Sequence, residues 1–145
     1  MAAKHTLFLD TDVVLDHLSD RQPFAEYAHR LLALAETGEV EPFVSSLTFS
    51  HLHFLLRKGR THVETIALLV KLKQLVRVLG VGESEVASAL ASGFTDFGDA
   101  LQYFAARTHP GIGAVITRNK ADYASSALPV LSPEEYLAQR AGKSS

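Results

Sequence analysis

Asp96 and Asp99 open an apolar-periodic stretch that continues through Ala100-Leu101-Gln102-Tyr103. On a helix, residues three apart share a face. Both carboxylates would then stand one turn apart at the helix N-terminus. Like charges that close repel unless a cation stands between them, and hard divalent cations prefer carboxylate oxygen. The competing reading is plain: acids in a first turn complement the helix dipole, worth about 0.3–1 kcal/mol each. More oxygen donors occur elsewhere. Asp10 and Asp12 follow the apolar run Thr6-Leu7-Phe8-Leu9, and Asn119 and Asp122 follow Gly113-Ala114-Val115-Ile116-Thr117. For Asp10 and Asp12 the competing reading is again N-capping.

Other chemistry is poorly supported. The chain has no cysteine, which excludes disulfides, thiolate metal sites and cysteine nucleophiles. Ser45-Ser46 lie near His51 and His53, but no glycines flank the serines as a nucleophile elbow requires. His51 and His53 are two apart, a spacing that does not share a helical face, so they make a poor zinc pair.

The elements that must position the acids can be read in order. Thr6–Leu9 predicts a short buried strand, and Asp10-Thr11-Asp12 caps a helix over Val13–Leu18. Pro23 leads into a helix from Phe24 to Thr37, closed by Gly38. Pro42–Ser45 predicts a second strand, followed by a helix through Leu56 capped by Ser45 or Ser46. Thr61-His62-Val63-Glu64 is a capping box opening a helix to Leu75. Val76–Val81 predicts a third strand, and a helix from Glu83 or Ser84 ends near Gly93. The Asp96–Asp99 helix runs to Thr108, where His109-Pro110-Gly111 stops it. Gly113–Thr117 predicts a fourth strand and Pro129–Leu131 a last one. Ser132-Pro133-Glu134-Glu135 starts a final helix, and Lys143-Ser144-Ser145 is expected as a frayed tail.

Strands alternating with helices imply one α/β domain over residues 1–145, with a mostly parallel sheet of four or five strands and helices on both faces. Parallel strands bring their C-terminal ends to one sheet edge, where open α/β sheets bind ligands. Acids distant in sequence would converge there, and capping alone does not predict convergence.

Of the 145 residues, 47% are apolar and 21% charged, as in ordinary globular domains. The net charge of −2 argues against nucleic-acid binding through bulk charge, leaving room for a local basic patch. Arg57, Lys58, Arg60, Arg118 and Lys120 are either phosphate contacts or solvated surface charges. No apolar run approaches the roughly 20 residues of a membrane span, and none resembles a signal peptide. A soluble cytoplasmic protein is expected.

Four stretches together carry a family likeness: Leu9-Asp10-Thr11-Asp12-Val13-Val14-Leu15-Asp16, Asp96-Phe97-Gly98-Asp99-Ala100-Leu101-Gln102-Tyr103, Ile116-Thr117-Arg118-Asn119-Lys120-Ala121-Asp122-Tyr123 and Leu131-Ser132-Pro133-Glu134-Glu135-Tyr136-Leu137. In that order and spacing the chain resembles PIN-domain proteins of the VapC-like toxin type. The resemblance implies a three-layer α/β/α sandwich and RNA cleavage dependent on Mg2+ or Mn2+. It implies Asp10, Asp96, Asp99 and Asp122 as metal-binding acids, with Asp12 and Asn119 beside them. A homodimer and an antitoxin protein that plugs the acidic site are common among such toxins.

Two positions depart from the family pattern. His51 stands where the family carries a glutamate, and Asp12 where it often carries asparagine. Asn119 occupies a site where many relatives carry aspartate. Imidazole is a borderline ligand, better suited to transition metals than to magnesium. His51 therefore has three readings: a ligand that shifts preference toward manganese, a general base near the reacting water, or a non-ligand in a weakened site. The last of these leaves an alternative function, a catalytically degenerate PIN domain that binds RNA or protein.

Overall fold

Alternate side chains of a strand face opposite sides of its sheet, and the first strand uses both sides. The structure, a computed structural model, describes residues 5–142; the expected tail Lys143–Ser145 lies outside them. In β1 (His5–Leu9), Leu7 and Leu9 enter one apolar cluster and Phe8 a second cluster on the opposite face. Apolar residues on both faces mark a strand covered by helices on both sides.

β1 is followed by α1 (Thr11–Ser19) and α2 (Ala25–Glu36), then β2 (Val40–Ser45), α3 (Ser46–Leu56) and α4 (His62–Leu75). Next come β3 (Arg77–Leu79), α5 (Glu83–Leu90) and α6 (Phe97–Ala106). The chain closes with β4 (Ala114–Ile116), one 3-10 turn (Lys120–Tyr123), β5 (Val130–Leu131) and α7 (Pro133–Gly142). The five strands lie in the order β3-β2-β1-β4-β5, every pair parallel. The expected α/β/α sandwich is thus observed.

One face of the sheet packs Val13, Val14, Leu31, Leu32, Leu52, Leu56 and Leu72 from α1 to α4. The other packs Tyr103 and Ala106 of α6 with Ile112 and Tyr123. Leu31 and Leu32 of α2 and Leu69 and Leu72 of α4 are buried, so each of these helices turns a leucine-bearing face to the core.

Sequence direction changes at β1, which pairs with β2 on one side and β4 on the other. The chain leaves the sheet in opposite directions at these two edges. That opens a crevice beyond the carboxyl ends of β1 and β4. Asp10 is the first residue past β1, and Thr117 the first past β4. The backbone N–H of Asp10 donates to the Ile116 carbonyl at 2.9 Å, pinning the two exits together.

Local signals set the helix ends. The Thr61 hydroxyl accepts from the Glu64 N–H at 3.1 Å, and the Glu64 carboxylate accepts from the Thr61 N–H at 2.8 Å. This is the capping box expected from sequence. Thr61→Ala removes one half of it and is expected to cost about 1 kcal/mol, measured as a lower urea midpoint with an unchanged slope. At α3 the expectation differs from the outcome. Ser45 is the N-cap residue, but its side chain makes no capping bond; it is buried, and its hydroxyl oxygen has no hydrogen-bond partner. Among the described residues, no helix is long and apolar enough to cross a membrane.

Candidate functional site

Asp10 caps α1 from an extended backbone, its Oδ1 accepting from the Thr11 N–H at 2.7 Å. That end of the helix is buried, so the carboxylate needs further donors. Gln102 Nε2 donates to Oδ1 at 3.1 Å and the Thr117 hydroxyl donates to Oδ2 at 2.8 Å. Gln102 is itself held: its Oε1 accepts from the Thr48 hydroxyl at 3.1 Å. Residues from α1, α3, α6 and the β4 exit thereby fix one aspartate. Burial pushes the Asp10 carboxyl above the usual carboxylate range, opposed by the bonds from Thr117, Gln102 and Thr11.

Asp12 lies in the first turn of α1. Its Oδ2 accepts from Asn119 Nδ2 at 2.9 Å and from the Arg118 N–H at 3.2 Å. Its Oδ1 is buried without a hydrogen-bond partner. Burial first, then the neighbouring Asp10, pushes the Asp12 carboxyl up to about 7.

Asp96 is the N-cap of α6, and its Oδ1 accepts from the Asp99 N–H at 2.8 Å. It therefore caps the helix and faces the same pocket as Asp99; the two readings of the Asp96–Asp99 pair are compatible. Burial, then the carboxylates of Asp10, Asp96 and Asp122, pushes Asp99 up to about 8. The Tyr123 hydroxyl lies 3.5 Å from Asp99 Oδ1. Burial, then Asp10 and Asp99, raises that phenol well above its ordinary value.

The four aspartates line one pocket of about 290 Å3. Asp10, Asp12, Asp96, Asp99, Asn119, Asp122 and His51 all contribute to its wall. The fold thus brings together every residue singled out from sequence as a metal-site candidate, and His51 with them. His51 reaches it from α3, on the exposed rim. Gln102 also lines it, and sequence reasoning passed over this residue as a site member. Its signal was position: three residues beyond Asp99, it shares that face of α6. The Thr48 contribution had no local signal, since it is 54 residues from its partner.

The donor set suits a hard divalent cation. Five carboxylates and two side-chain amides line the pocket, and the mutual repulsion of the acids would be relieved by positive charge. The unpartnered Asp12 Oδ1 is the buried acceptor that such a cation could satisfy. Among the described residues, however, no three His, Asp or Glu side chains are already drawn together closely enough to hold an ion. The acids are spread round an open pocket.

One basic residue stands differently from expectation. Arg118 is not a freely solvated charge: its Nε and Nη2 donate to the buried Asp16 carboxylate at 2.6 and 3.2 Å. Its guanidinium also stacks 3.9 Å from the Phe24 ring centre. Lys120 pairs with Glu135 at 2.9 Å on the surface.

A family model for the PIN domain matches residues 6–121. Among curated proteins, no sequence matches this one. Solved structures give three instructive likenesses. VapBC2 from Rickettsia felis, bound to a DNA fragment from its promoter, aligns with a TM-score of 0.64 at 12% identity, over 88% of this chain and 97% of that one. A toxin-antitoxin complex from Klebsiella pneumoniae aligns at 0.63 and 22% identity, over 88% and 97%. The sarcin-ricin loop cleaving toxin VapC20 of Mycobacterium tuberculosis aligns at 0.58 and 22%, over 75% and 86%. These likenesses establish a shared fold.

Proposed function

Because the chain belongs to the PIN-domain family, we propose that its pocket is the active site of a divalent-metal-dependent ribonuclease, the toxin of a toxin-antitoxin pair. The observation that carries this reading is the convergence of Asp10, Asp12, Asp96, Asp99 and Asp122 at the β1–β4 crevice. Asp10, Asp96, Asp99 and Asp122 would hold Mg2+ or Mn2+, with Asp12 and Asn119 beside them. A bound divalent ion supplies charge stabilisation at a phosphate and an acidified water.

The chain's own residues have separable tasks. Thr117, Gln102 and the Thr11 N–H orient Asp10 and favour its ionised form, while the surrounding burial opposes ionisation. Asp96 holds the first turn of α6 in place, and so aims Asp99. Asn119 and the Arg118 N–H fix Asp12 Oδ2 and leave Oδ1 directed at nothing else. His51 is the one imidazole on the pocket wall, the side-chain type that serves as general base or ion ligand. An antitoxin protein and a second copy of the chain are the partners this reading implies.

The direct experiment incubates purified protein with labelled single-stranded RNA in manganese, magnesium or chelator. Cutting with metal and none with chelator is the expected result. No cutting with either ion across a panel of RNAs would favour the binding-module reading. His51→Glu adds a hard ligand to the pocket wall. It should bind magnesium about tenfold more tightly, or about 1.4 kcal/mol, read as a larger magnesium-induced rise in thermal midpoint. An unchanged rise removes His51 from the metal site.

A further inference from the structure

Beside the acidic pocket lies a second groove of about 470 Å3, between α3 and the start of α6. The two share His51, Thr11, Gly98 and Gln102 as a common wall. Leu47 and Phe54 of α3 line the groove's apolar side. Phe54 is 66% exposed, an unusual setting for an aromatic ring that packs against no core. The Lys58 ammonium lies 5.4 Å from the centre of that ring, and the basic turn Arg57-Lys58-Gly59-Arg60 continues from it. An exposed ring, the Ser50 hydroxyl on the same groove wall and a cation over the ring are the parts of a base-stacking platform for single-stranded nucleic acid.

We infer that this groove holds an unpaired nucleobase of single-stranded RNA, stacked on Phe54, next to the phosphate presented to the acidic pocket. Continuity with the pocket argues for it: a strand whose phosphate enters between Asp10 and Asp99 would lay a neighbouring nucleotide across His51 into the groove. Charge argues for it as well. The acids favour an ion, whereas the α3–α4 turn offers Lys58 and Arg57 to the flanking phosphate. Gly98 lies at the shared wall with no side chain to narrow the passage. The inference rests on the ribonuclease reading of the acidic pocket, but binding and cleavage can be measured separately.

The test uses short single-stranded RNAs carrying 2-aminopurine at successive positions. Binding is measured in calcium, which screens the pocket's carboxylates, and cleavage in magnesium or manganese. The wild-type protein should bind with quenched fluorescence at one position. Phe54→Ala should bind about tenfold more weakly and lose the quench, while Phe54→Trp keeps both. The exposed ring makes the variants' folding comparable, checked by an unchanged thermal midpoint. Unchanged affinity and quench in Phe54→Ala, or no RNA bound by the wild type, would overturn the inference. So would intact RNA binding with a change from dimer to monomer, which gives the groove to a second copy. Stacking without any metal-dependent cutting would leave this subsite standing and remove the ribonuclease reading.

Discussion

Asp99→Asn should lower metal-dependent RNA cleavage by about 100-fold or more and, at pH 8 without metal, raise thermal stability. The first effect follows from chemistry. Ion-borne charge stabilisation is worth several kcal/mol, and each 1.36 kcal/mol is a factor of ten in rate. Removing one carboxylate from the pocket wall loosens that ion. The second effect follows from linkage. Folded Asp99 titrates near 8 against an ordinary 3.8. Its folded value is raised, so its stabilising contribution is complete below about 3.8 and is lost as pH climbs through about 8. Across that window the folded state keeps a proton that the unfolded chain has released.

Asparagine at position 99 carries no such proton and shows no such loss. The residue is partly exposed, so screening leaves a gain of about 1–2 kcal/mol, or roughly 2–8 °C in midpoint at pH 8. At pH 4 the variant should show no gain. The wild-type slope between pH 4 and 8 should also flatten when manganese is added. A variant less stable than the wild type at pH 8, or one that still cuts RNA, would break the link between this carboxylate and the pocket's charge.

The sequence made the convergence legible through two features of the fold. Strand-helix alternation implied a parallel sheet, and a parallel sheet puts every strand exit at one edge. Asp10 and Asp122 follow strands and are grouped on that ground before any strand order is known; Asp99 opens a helix instead, and its place beside them rests on how α6 packs. Strand order was not legible: nothing in the chain states that β1 lies between β2 and β4, because pairing partners are set by packing between distant segments. The same limit hid Thr48, which reaches Asp10 only through Gln102. It also hid the partner of Arg118. A basic residue beside acids reads as surface charge or a phosphate contact, but its partner Asp16 lies 102 residues away and is buried. A local rule overreached at Ser45. Serine before a helix reads as a cap, yet its hydroxyl is enclosed and makes no capping bond.

Asp16 and Arg118 carry the second large effect. The Asp16 side chain is 1% exposed and the Arg118 side chain 21% exposed, so the pair is desolvated mainly at the carboxylate. Its only other cation among the described residues is Arg21, whose Nε lies 3.9 Å from Oδ1. Arg118→Ala leaves a buried carboxylate with that distant partner and strips the guanidinium from Phe24. The expected cost is about 3 kcal/mol, or roughly 6–12 °C in thermal midpoint. The backbone N–H of residue 118 survives the change, so Asp12 keeps that donor. RNA cleavage per folded molecule should then stay within a few-fold of the wild type below the transition.

The double change Asp16→Leu with Arg118→Met separates charge from packing. A buried ion pair replaced by apolar side chains is often neutral or stabilising, so the double variant should recover most of the lost stability. If it is no more stable than Arg118→Ala, the arginine acts through its stacking on Phe24 and not through the carboxylate. If it recovers, the pair's contribution lies in position. Asp12 and Asp16 sit one turn apart on α1, and residue 118 engages both, through its N–H and its guanidinium. The β4 exit is thereby locked onto the helix that carries Asp12, which sets the distance between the two sides of the acidic pocket.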